Sequence, residues 1–233
     1  MNTADLHLRT CLVLDEAGRI VSTREPQATR VPLFALVRSA TACAWAVRAD
    51  VPVDVAGELD RLARDEPPVS DLRDAPAFAD RYVALLKDRI APPATKTQQS
   101  DGPAFAFPEL LSQPARIVVV SDERLLDRHF RGWVPGEIAA GRSPVMTIVE
   151  GGFPVSICFC ARLSEVAAEA GLDTAEAYRG RGYGSRVTAA WALAIRASGR
   201  IPLYSTSWTN HASLAVARKL GLAAYACSWG LSD

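Results

Sequence analysis

Eight consecutive residues, Tyr178-Arg179-Gly180-Arg181-Gly182-Tyr183-Gly184-Ser185, hold the densest chemical signal in this chain. Three glycines alternate with two arginines just before an amphipathic helical pattern begins. Such a loop turns successive backbone N–H groups toward one point, at the positive end of a helix dipole, where a phosphate or pyrophosphate can sit. It is not a P-loop, because no lysine follows the glycines. It is not a dinucleotide fingerprint either, because the third glycine comes one residue early. Arg179 and Arg181 supply fixed positive charge without a metal. The spacing therefore suits the pyrophosphate of a coenzyme that need not carry magnesium.

The elements that must position this loop follow from periodicity. An apolar run over 166–174 predicts a strand leading into it. Val187, Ala190, Trp191, Ala194 and Ile195 share one face of a helix predicted over 183–198. Residues 201–206 read as a strand. Asn210 is a candidate N-cap for a helix carrying Leu214, Ala217 and Leu220, with Gly221 as its stop. Residues 222–229 read as a last strand. Upstream, 104–107 and 116–120 are short strands, and 122–141 is helical in part, broken at Pro135-Gly136. Residues 145–149 and 155–161 form a hairpin about Glu150-Gly151-Gly152-Phe153-Pro154. The expected fold is mixed α/β, one sheet with helices around it.

The loop resembles the acyl-CoA loop of the GNAT superfamily of N-acetyltransferases, whose pattern is Arg/Gln-x-x-Gly-x-Gly/Ala between a strand and a helix. A second family element follows in the family's order: Asn210-His211-Ala212-Ser213-Leu214-Ala215-Val216-Ala217-Arg218-Lys219-Leu220-Gly221-Leu222 resembles the asparagine-led helix that ends in Lys-x-Gly-Phe. The resemblance covers roughly 103–233. It implies a central, mostly antiparallel sheet flanked by helices, acetyl-CoA as cosubstrate, no metal, and transfer of an acetyl group to a primary amine of a small molecule or peptide.

Residue by residue, the resemblance implies that Leu172, Asp173 and Thr174 lie on the strand end that pairs with the pantetheine arm. That strand splays from the next, and a backbone amide near Leu172 faces the thioester carbonyl. The amides of Gly180, Arg181, Gly182, Tyr183, Gly184 and Ser185, with Arg179, hold the pyrophosphate. Asn210 and Ser213 lie near the coenzyme sulfur. A base must take the proton of the attacking amine. Glu169 is the nearest carboxylate on the strand before the loop, and Asp173 shares its face. Counting back without gaps puts the family's glutamate position at Ala168, one residue from Glu169, a difference a one-residue bulge would absorb. The family's thiol-side tyrosine falls at Ala217. Tyr204, Tyr225, Ser213 or water are the substitutes, while Tyr178 and Tyr183 read as loop packing and His211 as a surface or capping residue. Two further readings stay open: a catalytically inactive acyl-CoA-binding regulatory module, and an enzyme for longer acyl chains, with 155–159 lining the pocket.

Residues 91–102, rich in Pro, Gln and Ser, read as a linker. They divide a 1–90 region from the 103–233 acetyltransferase-like domain. The first region is expected to be smaller and mainly helical: a hairpin at 11–23, then helices over 33–48, around Val55, Leu59 and Leu62, and around Phe78, Tyr82, Leu85, Leu86 and Ile90. It carries no cluster of catalytic residue types. Part of the acceptor site and a homodimer contact are roles open to it.

Apolar residues make up 49% of the chain and charged ones 22%, as in ordinary globular proteins. Net charge is −3 over residues 1–115 and +3 over 116–233, far from the dense basic face that nucleic acid needs. No apolar run is long enough for a membrane span, and MNTADLHLRT lacks the features of a secretory signal. Five cysteines without a CxxC pair indicate neither a disulfide framework nor a zinc site. Cytoplasmic residence is the expectation. Cys158 and Cys160 read as small buried residues on one strand face.

Overall fold

The computed structural model describes residues 2–28, 30–89 and 98–233. The chain forms two compact units. The first takes Met1–Ala104, Thr206–Thr209 and Ala224–Asp233, and the second takes Phe105–Ser205 and Asn210–Ala223.

The first unit begins with α1 (Thr3–Cys11), capped by Asn2, whose side chain accepts from the Asp5 amide. The expected hairpin follows as β1 (Leu12–Leu14) and β2 (Ile20–Thr23), antiparallel. Residues 33–48 are not helical. They form β3 (Phe34–Arg38) and β4 (Cys43–Val47), an antiparallel pair with Leu36 opposite Trp45. The reason is burial on both faces. Phe34 and Leu36 pack with Leu59, Leu62 and Tyr82 on one side, while Val37, Ala44 and Ala46 pack with Ala4 and Leu8 on the other. A strand buried on both faces loses its polar alternation and reads like a buried helix. The region is accordingly mixed rather than mainly helical.

The helix α2 (Val53–Arg64) buries Val55, Leu59 and Leu62 as expected. The next helix, α3 (Ala79–Arg89), buries Tyr82 and Leu86; Ile90 and 91–97 of the expected linker lie outside the described residues. Residues 98–102 are strand, the start of β5 (Gln98–Ala106). Gly102 is fixed there by crowding, since a Cβ would fall 1.8 Å from the Thr206 carbonyl oxygen.

The second unit holds β6 (Val118–Val119), β7 (Met146–Glu150), β8 (Phe153–Leu163), β9 (Ala167–Thr174) and β10 (Ile201–Ser205), in the order β10-β9-β8-β7-β6. All its neighbours are antiparallel except β10 and β9, which run parallel. One face is covered by α4 (Tyr183–Ala197), which buries Val187, Trp191 and Ile195 against Cys158, Cys160, Ala168 and Ala170. Each large side chain so buried contributes roughly 1.5–3 kcal/mol. The other face is covered by the segment that holds a 3-10 turn at Glu123–Leu126 and a π turn at Ile138–Arg142. Its Leu126, Phe130 and Trp133 meet Ile157 and Phe159. The helix α5 (His211–Lys219) precedes β11 (Ala223–Ser232), whose Trp229 and Leu231 register against Leu36 and Phe34 of β3.

Candidate active site

Strand β9 has two unlike edges. Toward β8 it pairs from Ala168 to Thr174, with one bulge between Cys160 and Arg162. Toward β10 the ladder holds only Ala167, Ala168 and Glu169, opposite Ile201, Pro202 and Leu203. Past Glu169 the two strands part, and 170–174 continue without β10. The bulge lies in β8, so the count from the glycine loop back to Glu169 is unaltered.

The glycine loop has the geometry its sequence implies. Gly180 and Gly182 both adopt left-handed backbone, φ 76° and 75°, which a side chain would strain. Gly182 is the N-cap of α4. The first turn receives no side-chain cap and contains no acidic residue, leaving its amides available to an external anion. Ser185 donates its hydroxyl to the Gly182 carbonyl at 3.0 Å. Arg179 donates from Nε to the Thr174 carbonyl at 3.0 Å and ties the loop to the strand end. The Thr174 hydroxyl is itself 2.8 Å from Ser156 Oγ. Arg181 stacks on Tyr178, 5.0 Å from guanidinium carbon to ring centroid. It also approaches Glu150 at 3.7 Å, and the Tyr183 hydroxyl donates to the same carboxylate. Gly184 lies between two side chains: a Cβ there would be in ordinary contact with Leu172 at 3.4 Å and Val216 at 3.5 Å.

Lys219 is a cation the sequence did not tie to this loop. A Cβ on Gly182 would meet its Nζ at 2.6 Å, so the ammonium lies directly over the glycine at the head of α4. No motif spacing relates residue 219 to residue 182; only the packing of α5 beside α4 does.

The carboxylate candidates separate. Glu169 is 1% exposed. One oxygen pairs with the Arg162 guanidinium and the other accepts from the Ser205 hydroxyl. Asp173 is exposed and stands four residues along the strand, roughly 13 Å at about 3.3 Å per residue. Between them the Phe159 ring lies against Gly171, where a Cβ would come within 2.4 Å of it. Glu169 and Asp173 share a face, as expected from alternation, but not a proton.

Asn210 caps α5 as expected, its side chain accepting from the Ser213 amide at 3.1 Å. Ala217 is 1% exposed, so the position of the family's tyrosine is filled by core packing. Among the substitutes, Tyr204 and Ser213 come together, hydroxyl to hydroxyl. Tyr225 belongs to the first unit and bonds His7 Nδ1 at 3.0 Å. The thiols at 158 and 160 are structural. Burial pushes both up, Cys160 to about 11, and a protonated buried thiol is a poor nucleophile.

Residues 146–226 match the sequence model of the GNAT acetyltransferase family. Among solved structures, a protein from Novosphingobium aromaticivorans DSM 12444 described as a GNAT-family acetyltransferase is 18% identical, with a TM-score of 0.51 over 61% of this chain and 68% of its own. A conserved protein of unknown function from Staphylococcus epidermidis ATCC 12228 is 11% identical, with a TM-score of 0.54 over 100% of this chain and 97% of its own. At these identities the likeness is one of fold. No curated protein matches the chain. No helix among the described residues is long and apolar enough to cross a membrane.

Proposed function

We propose that the chain, whose residues 146–226 match the GNAT acetyltransferase family, is an acyltransferase that moves an acetyl group from acetyl-CoA directly to a primary amine of a small molecule or peptide. The observation that carries this reading is the half-finished ladder. Strand β9 loses β10 after Glu169 yet continues to Thr174 and runs into a loop with two left-handed glycines at an uncapped helix N-terminus. An unpaired stretch of strand offers N–H and C=O groups that an extended amide-bearing arm can satisfy. Pantetheine is such an arm, and the pyrophosphate attached to it would reach the α4 amides, with Arg179, Arg181 and Lys219 as the surrounding charge.

The acceptor nitrogen attacks the thioester carbonyl, and the C–S bond then breaks. The developing oxyanion meets a backbone amide near Leu172. The amine proton passes to Glu169 through the Ser205 hydroxyl, which already donates to that carboxylate. Asp173, exposed at the strand end, faces the acceptor side and can attract a cationic amine toward it.

Calorimetric titration with acetyl-CoA tests the coenzyme assignment. Gly182→Val forces a left-handed β-branched residue into the Lys219 ammonium and is expected to weaken binding at least tenfold. Unchanged affinity in a folded Gly182→Val protein would sink it. A second reading, an inactive coenzyme-binding module, has one observation in its favour: both Glu169 oxygens are already engaged. Thiol release over a panel of amines separates the two, since the module binds coenzyme and releases none.

A further inference from the structure

Tyr204 is the first residue of β10 beyond its ladder with β9. Strand alternation sends Ser205 to one face, where it meets Glu169, and Tyr204 to the other, beside α4 and α5. The Tyr204 ring is 1% exposed and stands edge-on to Phe105 and Phe107, with centroids 6.3 and 6.4 Å away. A phenol walled in by aromatic rings needs a specific partner for its hydroxyl. Its partner is Ser213, through Oγ and, at 3.3 Å, the backbone carbonyl.

Ser213 is half-buried in the first turn of α5. It lies three residues before Val216 and four before Ala217, on the same helix face. Val216 and Leu172 both stand against Gly184. Val216, one turn along α5 from Ser213, therefore lies near Leu172 on the open stretch of β9, and Ser213 stands one turn ahead of the position where the family pattern has tyrosine and this chain has a buried alanine.

We propose that Tyr204 is a positioning residue: its O–H donates to Ser213 Oγ and so turns the Ser213 O–H toward the coenzyme sulfur as the C–S bond breaks. The proposal rests on the acyl-transfer reading above. The bonds balance as follows. The amine nitrogen forms the C–N bond, the C–S electron pair leaves on sulfur, and the amine proton goes to Glu169. Ser213 keeps its own proton and stabilises the thiolate as a hydrogen-bond donor; the thiolate is later protonated by water. Burial raises the Tyr204 phenol to about 12, so it remains a donor throughout the neutral range rather than an acid consumed by the reaction. Proton removal and thiolate stabilisation then lie on opposite faces of β10, one residue apart.

The test uses the full chain, acetyl-CoA and the best amine found in the thiol-release panel. Ser213→Ala is expected to lower kcat about a hundredfold, and Tyr204→Phe about tenfold, with acetyl-CoA affinity unchanged by calorimetry. The double variant should be no slower than Ser213→Ala, because Tyr204 acts only through Ser213. With acetyl-seleno-CoA, whose leaving group needs less stabilisation, the Tyr204→Phe deficit should shrink toward twofold; a structural defect would leave it unchanged. Ser213→Thr, which keeps the hydroxyl, should recover most of the rate. Additive losses in the double variant, or a Tyr204→Phe rate equal to wild type, overturn the proposal alone. Wild-type protein that binds acetyl-CoA and acetylates no amine overturns the acyl-transfer reading, and the proposal with it.

Discussion

Each unit contains an arginine paired with a buried glutamate, and the two pairs are built differently. Arg38 and Glu66 are 4% and 0% exposed at the side chain and 3.8 Å apart. Most of their further contacts go to fixed structure. Arg38 donates to the carbonyls of Asp74 and Ala75, and Glu66 accepts from the Ala77 amide and, at 2.9 Å, from the Tyr82 hydroxyl. Burial, then the Glu66 contact, holds the Tyr82 phenol well above its ordinary range, so it stays a donor. The cluster fastens the turn-rich stretch after α2 to the sheet. In the other pair, Glu169 is just as buried, but Arg162 is 29% exposed and a further partner is the Ser205 hydroxyl, on β10 just past the end of its ladder with β9. The first pair has its polar atoms held largely by backbone. The second keeps a side-chain hydroxyl in between, which can pass a proton.

The comparison breaks if the two glutamates respond alike. Glu66→Ala leaves a buried guanidinium uncompensated and is expected to cost about 3–5 kcal/mol in urea unfolding, with kcat per folded molecule near wild type. Glu169→Gln keeps the shape and the Ser205 contact. Its kcat should fall by about a hundredfold, with partial recovery as pH rises and more of the acceptor amine is neutral in solution. A wild-type pH–rate profile for Glu169→Gln would remove it as the proton acceptor. The smallest effect sharpens the picture of α5: Asn210→Ala removes the cap and should cost about 1 kcal/mol, while lowering kcat by only a few-fold, since Tyr204 still holds Ser213. A loss of kcat as large as that of Ser213→Ala would mean that Asn210 touches the coenzyme itself.

Much of the second unit is legible in the sequence. The glycine loop, the α4 face led by Val187 and Trp191, the Asn210 cap and the β7–β8 hairpin all rest on local rules: left-handed glycines, helical period, side-chain capping and turn composition. What was not legible depends on contacts distant in sequence. Residues 33–48 read as helix because both faces of β3 and β4 are apolar. Lys219 reaches Gly182 only through packing between helices. Ser205 is an ordinary strand residue, and Tyr204 only one of several candidate hydroxyls, until the register of β10 against β9 shows where the ladder stops and which way each one points. Glu169 was found from sequence as a type at a position, but its partner Arg162 was not, because that partner lies across a bulge in β8.

The first unit takes its last strand from Ala224–Asp233, and Trp229 and Leu231 complete its core. During synthesis, the chain through Ala104 therefore waits while another 120 or so residues are added, on the order of ten seconds at ordinary elongation rates. Until β11 emerges, β3 has no neighbour on that side, and the apolar faces of α2 and α3 have only part of their cover. Newly made protein thus passes through a stage in which the unit made first is the one finished last, and that interval is when a holding chaperone has most to offer it.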